Sequence, residues 1–119
     1  MVEVHRWFAY VAIATCVAAA VAGGIRYHRG GAAGALTAHL LSLAQTLLIA
    51  QVAVGLLLLS GDRRAIDHTH YLYGALALGV VLAPWLYAPA KGRRRLLWFA
   101  GTCGFAGALG VRAAMTGGW

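Results

Sequence analysis

Residues 36–59 read LTAHLLSLAQTLLIAQVAVGLLLL, a run without a single Asp, Glu, Lys or Arg. At 1.5 Å of rise per residue such a run spans about 36 Å as a helix, more than the roughly 30 Å hydrocarbon core of a bilayer. Its apolar residues are continuous rather than alternating, so it does not read as a strand of a membrane barrel. Three more runs resemble it, at about 4–25, 67–87 and 95–115. Gly23-Gly24, Gly30-Gly31, Ser60-Gly61 and Gly117-Gly118 punctuate the ends, and Asp67 is a candidate N-cap for the third run. Pro84 should kink that helix or hasten its end, with Pro89 beyond it.

Of the 119 residues, 61% are hydrophobic and 11% charged. A soluble domain this small cannot hide so much apolar surface. The expected fold is therefore all-α, an integral membrane four-helix bundle forming one domain over residues 1–119. No internal repeat, low-complexity linker or second domain interrupts it. The first run, with small residues near its end, reads as a span rather than a cleaved leader. The partner implied at once is the lipid bilayer, and the expected location is the plasma (inner) membrane.

The formal net charge is +7, but the cations sit in short connections between spans. No basic face with interleaved aromatics exists outside them, which argues against nucleic acid. Arg26, Arg29, Lys91, Arg93, Arg94 and Arg95 follow the first and third spans, with no acid among them. The other side carries Arg6, Arg63, Arg64 and Arg112, together with Glu3, Asp62 and Asp67. Six cations against four orient the richer side to the cytoplasm and put both termini outside. Cys16 and Cys103 lie inside apolar runs with no Cys-x-x-Cys, and read as buried small hydrophobes.

This topology sorts the five histidines. His39 enters the second span from the cytoplasmic side, most of a bilayer away from His70, and reads as a polar contact of Ser42 and Thr46. His28 reads as a solvated interfacial residue. His5 and His70 both open spans that start at the outer face, so they can meet. His68 points about 200° away from His70 around the helix, so only one of them can face the bundle. Gly74 lies one turn below His70 and favours that residue. Facing imidazoles in a helix bundle are the usual protein contribution to a b-type haem. His5 and His70 are accordingly the candidate ligands of a haem b iron. Arg6 is placed to pair with a propionate, assisted by Arg63, Arg64 or Tyr71. Gln51 and Gly55, one turn apart in the same half of the second span, form a second polar-plus-small pair, and a glutamine at that depth needs a partner.

Gly101, Gly104, Gly107 and Gly110 recur every three residues, so the stripe winds around the fourth helix and suits close packing. The Trp and Tyr residues gather towards span ends, as interfacial belts do.

His5-Arg6 opening a helix, Gln51 to Gly55 with Ser60-Gly61 closing the next, and His70 opening the third resemble a four-helix half of the haem A synthase family. That resemblance covers about the first three helices and implies that His5 and His70 ligate haem near the outer surface. The family carries two such bundles and this chain one. Glu3 stands two residues before His5, where the family's acid stands three before. Small four-helix di-histidine haem proteins, such as cytochrome b561-like modules and the anchors of complex II, show the same general pattern.

The expected function is thus a b-type haem-binding membrane protein, an electron-transfer or accessory component of a respiratory assembly without catalytic activity of its own. The alternative is a cofactor-free subunit packing against a larger membrane complex, or against further copies of itself. A small multidrug-type carrier is disfavoured, since no Asp or Glu lies inside any span.

Overall fold

A computed structural model describes residues 2–30, 34–61, 69–90 and 93–117. The chain is all-helical there, with α1 Val2–His28, α2 Gly34–Ser60, α3 Thr69–Tyr87 and α4 Arg93–Gly117. All four are long and apolar enough to cross a membrane. They extend the expected spans by two or three residues at most ends. The Asp67 cap, Arg63, Arg64 and His68 lie outside the described residues.

The ends follow from local chemistry. Gly30 takes a φ of 75° just past α1 and returns its N–H to the Tyr27 carbonyl at 3.1 Å, satisfying a helix-end acceptor. Pro84 sits buried inside α3, which continues only to Tyr87 before stopping.

The helices alternate in direction, so the start of α1, the end of α2, the start of α3 and the end of α4 share one end of the bundle. Around the ring, α4 packs against both α1 and α3, α2 packs against α1, and α2 touches α3 sparingly. The tightest seam is α1–α4. A Cβ on Gly23 would stand 2.6 Å from Ala100 Cβ, while Gly104, Gly107 and Gly110 lie against Ala20, Cys16 and Ile13. Gly101 faces open space, so the stripe does wind off the interface. Cys16 and Cys103, both free thiols, join Ala19, Ala44, Ala77, Val81 and Ala106 in a core of small side chains. Large apolar residues such as Val17, Val21, Leu56, Leu57 and Leu86 point outward instead.

Where α2 does meet α3, one side chain makes the link. Buried Gln45 donates Nε2 to the Val81 carbonyl at 3.1 Å and accepts Trp85 Nε1–H on Oε1 at 2.9 Å. Pro84 has no N–H for its own helix and loosens the turn that presents Val81. His39 departs from its expected role. It is exposed, and Thr46 Oγ1 turns back to the Ser42 carbonyl at 2.8 Å, the usual way a hydroxyl is satisfied within an apolar helix.

Candidate cofactor site

Near the end of the bundle where α1 and α3 start, His5 projects along the inward stripe of α1 that also carries Ala12, Cys16 and Ala19, and it is 6% exposed. Two residues of α2, one turn apart, hold it there. Gln51 donates Nε2 to the His5 carbonyl at 2.7 Å. Gly55 leaves room for the ring: a Cβ there would stand 3.1 Å from His5 Cε1. The expected pairing of Gln51 with Gly55 is therefore a cradle for His5. Gly55 seats the imidazole itself, one step closer to the histidine than a bare polar-plus-small pair suggests.

His70 is the second residue of α3, and its Nδ1 lies 2.7 Å from the Ala113 carbonyl on α4. A carbonyl only accepts, so Nδ1 carries the proton and Nε2 the lone pair. A histidine whose other nitrogen is anchored to a backbone carbonyl is oriented as metal-ligating histidines are. Helices α1 and α3 occupy opposite corners of the ring, and their imidazoles reach across to each other. The ring centroids are 6.0 Å apart, with planes at 76°. The separation is that of an edge-to-face ring pair, and the two residues would be the ones to hold a metal-bearing cofactor at this end of the cavity.

Below and around the pair lies a cavity of about 430 Å³, lined by all four helices. Its floor includes Leu48, Ala77 and Leu78, and its walls are almost entirely apolar. That volume is within the roughly 300–1,000 Å³ range of small-molecule and cofactor sites. Gly74 faces it, and a Cβ on Gly74 would meet nothing within 4 Å. Gln51 Oε1 is buried beside it and accepts no hydrogen bond among the described residues. Arg6 lines the mouth, with its guanidinium bonded to Glu3 at 2.7 and 2.9 Å. Tyr71 is there too, its ring 5.8 Å from that of His70. The structure thus brings His5, His70, Arg6, Gly74, Gln51 and Gly55 to one site. Sequence reasoning missed the Ala113 carbonyl on α4, whose part is that of a backbone acceptor.

Among the described residues no three His, Cys, Asp or Glu side chains gather as a bare metal ion would need. A pair of imidazoles suffices only for a metal that arrives with most of its ligands already in place. No protein-family model, curated protein or solved structure matches this chain.

Proposed function

We propose that the chain is a polytopic plasma-membrane protein that binds one b-type haem between His5 and His70, and serves as an electron-transfer or accessory component of a respiratory assembly. Membrane insertion is supported by four helices long and apolar enough to cross a bilayer and by the many large apolar side chains exposed on their outer faces, such as Val21, Leu57, Leu86 and Phe105. The cations of Arg26, Arg29, Arg94 and Arg95 favour a cytoplasmic position for that end, which puts both termini and the histidines outside.

The observation that carries the haem reading is the meeting of two imidazoles, from opposite corners of the bundle, beside an apolar cavity. When bound, such a haem supplies a one-electron carrier. The protein's own groups do the holding. Ala113 fixes the His70 tautomer, Gln51 and Gly55 fix His5, Gly74 leaves space against α3, and Arg6 offers a cation at the mouth. The apolar walls keep water from the site. One histidine pair makes one cofactor site, which favours a carrier over a synthase holding cofactor and substrate together.

The test is the absorption spectrum of protein purified from a haem-replete host, oxidised and reduced. A Soret band near one haem per chain is expected, lost in His70→Ala with helical circular dichroism unchanged. A colourless, helical wild-type protein would overturn the reading and leave a cofactor-free packing subunit.

A further inference from the structure

The end of the bundle away from His5 and His70 gathers cationic charge with no carboxylate beside it among the described residues. The close approach of Gly23 to Ala100 draws the end of α1 and the start of α4 together, because only small residues let two helices come so near. Arg26 and Arg29 follow Gly23 by three and six residues; Arg94 and Arg95 precede Ala100 by six and five. The end of the bundle where α1 stops and α4 starts therefore carries four arginines. Arg26, Arg29 and Arg94 are exposed. The Arg26 guanidinium lies against the first turn of α2, where a Cβ on Gly34 would stand 2.6 Å from its Nη2.

The chain's acids are Glu3, Asp62 and Asp67. Glu3 is at the far end, paired with Arg6 at 2.7 Å, and the two aspartates belong to the segment between Ser60 and Thr69. Like charges held together without a carboxylate call for an anion from outside. The surroundings say which kind. Arg95 is held over the Trp85 and Phe99 rings, at 5.4 and 4.9 Å to their centroids, with Nη1 donating to the Pro89 carbonyl at 3.2 Å. Trp85, Tyr87 and Trp98 are exposed beside it. Exposed Trp and Tyr around a cationic rim mark headgroup depth, and basic clusters between helices at that depth take lipid phosphates.

We propose that Arg26, Arg29, Arg94 and Arg95, at the end of the bundle where α1 and α3 stop and α2 and α4 start, bind the phosphate headgroup of an anionic phospholipid. The inference rests on the membrane insertion put forward above and not on haem. The aromatic-held Arg95 supplies a fixed donor, and exposed Arg26, Arg29 and Arg94 add cations at the same end.

The test is thermal unfolding of the full chain in phosphatidylcholine nanodiscs with and without added phosphatidylglycerol. Phosphatidylglycerol should raise the midpoint, high salt should reduce the shift, and the Arg26→Gln/Arg94→Gln variant should lose most of it while Arg112→Gln keeps it. Equal stabilisation by phosphatidylcholine, by sodium phosphate or in the double variant would overturn the proposal. If the double variant does not fold, the salt and lipid-class comparison on wild type decides. Extraction of membranes at alkaline pH separates the two failures. Release of the chain removes the membrane reading, whereas retention without lipid preference removes only the arginine site.

Discussion

Gln45 and Gln51 lie on the same helix, six residues apart, and the bundle treats them in opposite ways. Gln45 has both ends of its amide satisfied, by Val81 and by Trp85, and it pins α2 to α3. Gln51 satisfies one end on the His5 backbone and leaves Oε1 buried beside a cavity of about 430 Å³. A buried acceptor left unmade costs about 1–3 kcal/mol, so its persistence at one end and not the other separates a clamp from a receptacle. Closed by small residues and a satisfied amide, the Gln45 end stabilises the fold. The Gln51 end forgoes packing to keep two imidazoles and an open space.

If that division is right, substitutions at the closed end should lower stability and spare the cofactor, and substitutions at the open end should do the reverse. Gly23→Leu should have the largest effect. It forces side-chain atoms into the 2.6 Å approach to Ala100 and should cost about 1–3 kcal/mol or more in unfolding from detergent micelles. Gln51→Leu should leave that unfolding nearly unchanged but weaken haem retention by roughly 10- to 100-fold in competition with an apo-haem acceptor, as loss of ligand support does. A Gln51→Leu variant that retains haem as wild type would break the comparison. Gln45→Ala should cost about 1–2 kcal/mol of stability, the upper range for interhelical hydrogen bonds in membranes, with the Soret band intact.

The smallest change sharpens the contrast most. Gly74→Ala puts a methyl group into space that no atom fills and replaces a helical glycine. The haem-free protein should gain about 0.5–1 kcal/mol from helix propensity, while haem retention should fall. A variant stabilised without loss of haem would show that the Gly74 wall does not face the cofactor.

How much of this was legible in the sequence differs between the two ends. The helices were readable because their apolar runs are long and nearly free of charge, and they match the expected bounds to within a few residues. His5 and His70 were readable because topology alone brings those two to the same depth. Gln45 carried the same signal as Gln51, a glutamine inside an apolar run, but its partners are a backbone carbonyl beside Pro84 and an indole on another helix. The Ala113 carbonyl leaves no trace in a sequence, since every residue has one. Nor does the ring order of the helices, which sets α1 on α4 and leaves α2 and α3 in slight contact. His39 was misread because sharing a helix face with Ser42 and Thr46 does not bring the groups into contact when each hydroxyl prefers its own backbone.

The central claim is that His5 and His70 share one iron. Electron paramagnetic resonance of the oxidised protein tests it most directly. The account predicts a low-spin ferric signal from an iron held by both imidazoles, giving way to high-spin or haem-free protein in both His5→Ala and His70→Ala. A wild-type protein without a ferric haem signal, or a low-spin signal surviving in both variants, would contradict it.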